Sequence, residues 1–175
     1  VGSEHIARAR ATEQEPFRYA DIDVLEGDEE FVEIPHLVDS STRRKLTANP
    51  NDHVLFARDG AYGPWERIAY VDDALAPVIR VVMERLPAWQ VGDDFERFSY
   101  FASLLNETDV DVYSLALQEL DLADYGTLRS LDLNVDTQRQ ISRLNLRYEA
   151  DLKPIRLLLL GLSKDPIAPE FFEDG

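Results

Sequence analysis

Cysteine is absent from the 175 residues, which removes disulfides, thiolate nucleophiles, iron–sulfur ligation and cysteine-held zinc from the chemistry open to the chain. That absence fits an envelope compartment as well as the cytosol. Glycine occurs only eight times and never in the clusters that cradle phosphates, so phosphate-loop and dinucleotide fingerprints are missing. Basic residues are also scarce: 18 Lys and Arg stand against 34 Asp and Glu, a net charge of −16. They are dispersed along the chain rather than gathered into a stripe, so nucleic acid is not expected as a partner. No apolar run reaches the roughly 18 to 20 residues of a membrane-crossing helix. The longest, Leu157 to Leu160 with Gly161 and Leu162, has the length of a buried helix segment. The chain begins at Val1, and a periplasmic or otherwise exported location is the expectation, with the cytoplasm as the alternative.

What is present is enough apolar material to fold: 45% of the residues are hydrophobic, with Phe, Tyr and Trp spread throughout, and a chain of this length can bury a core without staples. Its period changes once, near Val71. Before that point Tyr19 to Leu25, Phe31 to Ile34, His53 to Arg58 and Trp65 to Val71 have strand length and composition. Ala20, Ile22 and Val24 alternate with Tyr19, Asp21 and Asp23, which predicts the first set on a buried face and the second on an exposed one. Residues 1–15 lack a period and read as a flexible arm. The stretch from Asp39 to Asp52 reads as a long connection or a short helix within a loop.

After Val71 apolar residues recur at helical spacing. Leu75, Val78, Ile79, Val82 and Leu86 form a stripe, with Asp72 or Asp73 as cap and Pro87 as stop. Asp93 or Asp94 opens a helix with Phe95, Phe98, Ala102 and Leu105 on one face and Phe101 beside it. Further helices are expected from Thr108 or Asp109, from Asp124 with Tyr125, Leu128 and Leu131, from Asp136 with Ile141, and from Asp151 with Pro154 in the first turn. The last, apolar all round from Ile155 to Leu160, is expected at the centre of the helical layer, with Leu158 and Leu159 in its core. The fold class is therefore α+β: a small antiparallel sheet or partly open barrel on residues 16–72, packed against helices on residues 73–168, with an acidic tail on 169–175.

Tyr100-Phe101 with Leu104-Leu105, then Asp111, Ala116, Glu119, Ala123-Asp124-Tyr125, Leu128-Arg129, and Arg156 with Leu157 to Gly161 carry a resemblance to uncharacterised bacterial proteins. In these a β-rich segment precedes a helical region similar to HEAT repeats. Val24-Leu25-Glu26-Gly27 and Val54-Leu55-Phe56 look like the group's β part, similar to an oligonucleotide/oligosaccharide-binding-type barrel. The resemblance implies architecture and a surface that holds other macromolecules, and it implies no site residues.

Chemistry-bearing residues are few. Asp21 and Asp23 share one side of a strand near Glu26, Asp28, Glu29 and Glu30. The calcium-loop pattern fails there, with Glu26 where glycine is required and Val32 where a glutamate is, so the cluster reads as a solvated acidic edge. His5, His36 and His53 have no zinc-helix spacing. His36 and His53 flank one loop, and a two-histidine site completed by Asp39 or Asp52 competes there with ordinary loop histidines. No metal or cofactor is expected. Ser40 and Ser41 lie near His36 and Asp39 but lack a nucleophile elbow and an oxyanion hole. Trp65, Tyr70, Trp89 and Tyr100 fall around the junction of the two halves and are candidate partner-binding residues, with a ring-sealed core as the alternative. Phe171-Phe172 in the tail can dock on a partner or pack back on the chain. The function expected is non-catalytic binding or assembly with a protein partner, one presenting basic residues, in the bacterial envelope. The competing reading is a hydrolase with a carboxylate or Ser/His site in the loop 36–53.

Overall fold

The computed structural model describes residues 5–27, 32–60 and 62–165. The architecture is α+β, an N-terminal open antiparallel sheet followed by packed helices. The chain forms two compact units that divide between Pro77 and Val78.

The first unit holds β1 (His5–Arg10), β2 (Asp21–Glu26), α1 (Ser40–Ala48), β3 (His53–Arg58) and β4 (Glu66–Val71). Its four strands are ordered β2-β1-β3-β4, and all neighbours are antiparallel. The first fifteen residues are thus not an arm throughout: His5–Arg10 is an interior strand paired on both sides. Ala7 and Ala9 are its core-facing residues, and alanine at alternate positions is too weak a hydrophobic signal to reveal a strand. Small side chains fit there because Ala7 stands opposite Phe56, whose ring meets Tyr19 edge-on at 4.8 Å.

One face of the sheet packs Ala7, Ala9, Val54 and Phe56 against Tyr19, Ile34, Val38, Leu46 and Trp65, with Ile22 and Tyr70 at its margin. The cover of this face includes Leu46 of α1, so the helix expected as an option within the Asp39–Asp52 stretch supplies part of the core. Asp21 and Asp23 are exposed and Ile22 and Val24 half-buried, as their alternation predicts, but ahead of the strand the expectation is reversed: Tyr19 is buried in the core and Ala20 is exposed, because β2 begins only at Asp21. The segment read as a returning strand, Phe31 to Ile34, is irregular where described: Val32 to Ile34 carries no ladder, although Ile34 is buried. Phe31 lies outside the described residues. Gly27 has φ 119°, a value open to glycine, and the ring of His5 occupies the space that a Cβ there would need.

The helical region comprises α2 (Leu75–Gln90), α3 (Asp94–Ser103), α4 (Val110–Leu120), α5 (Tyr125–Ser130), α6 (Thr137–Arg143) and α7 (Lys153–Leu162). Aspartates begin most of them. Asp72 accepts the N–H groups of Ala74 and Leu75, and Asp93, Asp109, Asp124 and Asp136 cap α3 to α6 through their side chains. Three expectations need correction. Pro87 does not stop α2, which continues to Gln90 and ends before Gly92, φ 112°. A proline so near the end removes one hydrogen bond, and Leu86 and Trp89 remain buried on the same helix. Asp151 does not cap α7, which instead follows a 3-10 turn at Arg147–Leu152 and has no side-chain cap. In α7 the buried residues are Ile155, Arg156, Leu159 and Leu160, whereas Leu158 is only half-buried. No helix among the described residues is long and apolar enough to cross a membrane.

Candidate functional site

The loop 36–53 places its polar groups in structural bonds. Asp39 receives the backbone N–H groups of Ser41 and Thr42 at 2.9 Å, the hydroxyls of Ser41 and Thr42 at 2.7 and 2.6 Å, and Nη1 of Arg67 at 3.1 Å. These donors, the Thr42 hydroxyl foremost, hold its carboxyl far below the usual carboxylate range. His36 Nε2 lies 2.5 Å from the carbonyl oxygen of Trp65, so Ser41 and His36 have separate partners and form no nucleophile–base pair with one another. The Tyr70 hydroxyl donates to Asp52 at 2.6 Å; burial and that carboxylate push its pKa up. His53 is half-buried, and burial lowers its pKa. Among the described residues no three His, Asp or Glu side chains converge as metal ligands. Asp23 of the acidic edge pairs with Arg8 at 2.7 Å.

The four junction aromatics divide between the units. Trp65 is 5% exposed within the sheet's core, with the Arg58 guanidinium 4.8 Å from its ring centroid, and Tyr70 is half-buried beside the same core. In the helical unit Trp89, also 5% exposed, stands 6.0 Å from Tyr100 and 5.9 Å from Phe101 between ring centroids. Its indole N–H donates to Glu96, which also pairs with Arg85. The structure therefore joins Trp89 to Tyr100 as packing between α2 and α3. Neither tryptophan offers much ring surface to a partner.

The helical unit also encloses a charged network. Arg156 of α7, with 0% exposure, donates to the Tyr113 hydroxyl of α4 and the Gln140 carbonyl of α6, each at 2.8 Å, and to Glu149 at 2.5 Å. Glu149 also receives Arg143, and the Arg139 guanidinium lies 3.6 Å from the Tyr113 ring centroid. The burial that raises the Tyr113 pKa is the burial that makes Arg156 depend on Glu149. With Arg156 and Gln140 fully enclosed, this network ties α4, α6 and α7 together.

Accessible apolar groups occur elsewhere in this unit. Arg97, in the first turn of α3, pairs with Glu119, in the last turn of α4. The two helices are thus antiparallel, and the α2–α3 and α4–α5 turns share one end of the unit. At that end Val91 is 87% exposed, Phe95 58%, Leu122 64% and Tyr125 56%. Asp93, Asp94, Asp121 and Asp124 are exposed beside them. Phe95 and Tyr125 were expected inside with the stripes Phe98–Ala102–Leu105 and Leu128–Leu131; both occupy the first turn of their helices, beyond the layer that buries the rest. Helical spacing alone assigns a first-turn residue to the core, and only the packing of the neighbouring helix reveals where the cover stops. No family model, no curated protein and no solved structure matches the chain.

Proposed function

We propose that the protein is a non-catalytic binding or assembly module whose helical unit recognises a protein partner at the end formed by the α2–α3 and α4–α5 turns. The observation that carries this reading is the exposure of four large apolar side chains, Val91, Phe95, Leu122 and Tyr125, at one end of the unit. Single exposed apolar residues are ordinary, but several together beside polar groups are the mark of a recognition surface. The surrounding carboxylates of Asp93, Asp94, Asp121 and Asp124 favour a segment that sets Lys or Arg beside its own apolar side chains. Apolar contact supplies the affinity and charge sets the encounter rate and salt sensitivity. The resemblance of this half to HEAT-like repeats supports the reading by analogy of architecture.

Affinity capture from the native organism tests it, with wild type compared against Phe95→Asp/Leu122→Asp. A reproducible partner held by wild type, lost by the variant and released by moderate salt is the expected result. Hydrolysis of a substrate in a broad screen, abolished by Ser41→Ala or His36→Ala and accompanied by no such partner, would replace this reading with the hydrolase.

A further inference from the structure

The dispersal of arginines along the sequence does not persist in the fold. Arg10, the last residue of β1, comes to α1, where Arg43 and Arg44 lie, and the three line one groove of about 490 Å³. Pro16, Ala48 and Pro50 give the same groove apolar wall. Each guanidinium is steadied by one neighbour and keeps further donors to offer. Arg10 donates Nη2 to the Leu46 carbonyl at 3.2 Å, Arg43 lies 4.7 Å from the Phe17 ring centroid, and Arg44 donates Nε to the Ser40 carbonyl at 3.3 Å. None of these neighbours is a carboxylate. Arg8, Arg67, Arg85, Arg97, Arg143 and Arg156, by contrast, are each ion-paired. The groove's lining contains a single acid, Glu13, against the three arginines, in a chain where acids outnumber bases 34 to 18.

We propose that this groove binds a small organic phosphate, such as a mononucleotide or a sugar phosphate. Guanidinium forks match phosphate oxygens, and a terminal phosphate offers three oxygens where a carboxylate offers two, which suits three arginines better. The volume lies within the roughly 300–1,000 Å³ of small-molecule sites and exceeds what a bare ion needs. The organic body has Pro16, Ala48 and Pro50 to lie against. A net charge of −16 opposes long polyanions, whose further phosphates would face carboxylates, and so favours a ligand with one phosphorylated end. This site is in the sheet unit and is independent of the partner surface on the helical unit.

Titrating the full chain with adenosine monophosphate, ribose 5-phosphate, adenosine and inorganic phosphate, followed by NMR of the arginine side chains and by calorimetry, tests the proposal. Either organic phosphate is expected to shift the resonances of Arg10, Arg43 and Arg44 saturably, more tightly than inorganic phosphate, while adenosine leaves them in place. Arg43→Ala/Arg44→Ala is expected to weaken that binding by about tenfold or more, with a denaturation midpoint close to wild type because neither side chain is buried. Absence of saturable shifts at millimolar organic phosphate, or undiminished binding by the variant, would overturn the site. Tighter binding of a short single-stranded oligonucleotide than of either small phosphate would reject the small-molecule ligand.

Discussion

Removing Glu149 should harm the protein more than removing Arg156, although the two are partners. Arg156 is enclosed completely and meets a single carboxylate, that of Glu149; its other acceptors, Tyr113 and Gln140, are neutral. Its Nε has no acceptor among the described residues. Glu149→Leu therefore leaves a guanidinium buried without a counter-charge, a change that costs about 3–5 kcal/mol, a large part of the roughly 5–15 kcal/mol that holds a domain folded. Arg156→Met leaves a different remainder. Glu149 keeps Arg143, whose side chain is 21% exposed and partly solvated. The neutral Tyr113 hydroxyl and Gln140 amide and one carboxylate oxygen of Glu149 lose a donor, at about 1–3 kcal/mol, while the Glu149 charge itself stays paired. Combining the two changes removes the stranded charge, so Glu149→Leu/Arg156→Met should be more stable than Glu149→Leu alone. Urea denaturation of the four proteins, read as a double-mutant cycle at constant m, measures this order. If Arg156→Met proved the more damaging single change, or the double variant fell below both, the enclosed guanidinium would not be the costly element.

The remaining expectations concern packing and pH. Leu159 is fully buried and Leu158 half-buried, so Leu159→Ala should cost about 2–5 kcal/mol and Leu158→Ala clearly less in chemical denaturation. Trp89→Ala should lose about 3–5 kcal/mol of stability, because its ring is packed between α2 and α3, whereas Phe95→Ser, at an exposed position, should stay within about 0.5 kcal/mol of wild type. Burial chiefly lowers the His53 pKa below 6.5, with Arg8 and Arg10 adding to the effect. The unfolded chain takes up this proton first as pH falls, so the contribution is fully present above 6.5 and is lost as pH drops toward the folded value. His53→Gln should flatten the stability profile in that window, and an unchanged slope there would show that the ring does not titrate between the two states.

Much of the architecture could be read from residue patterns because the determining interactions are local. The strand His53–Arg58 has both ends where its composition puts them, and the aspartates at 93, 109, 124 and 136 cap helices since an N-cap acts on residues two or three positions away. What escaped the sequence depends on distant neighbours. β1 hides behind two alanines whose value comes from Phe56 and Val54 across the sheet. Arg156 interrupts a leucine-rich helix like a solvent-facing residue; its partners lie 7, 16 and 43 positions away. The exposed end of the helical unit was legible only in part: the aromatic character of Phe95 and Tyr125 was plain, but their exposure follows from where α3 and α4 end. The groove of Arg10, Arg43 and Arg44 requires the long-range pairing that brings β1 to α1.

Site-specific photocrosslinking in the native organism bears most directly on the central claim. A photoreactive residue at Leu122, in the turn after α4, is compared with one at Val110, the first residue of α4 at the helix's opposite end and itself exposed. Covalent capture of one discrete protein at 122, absent at 110 and suppressed by Phe95→Asp, is the predicted result. Capture at 110 with none at 122 would contradict the account, as would equal labelling at both positions that Phe95→Asp leaves unchanged.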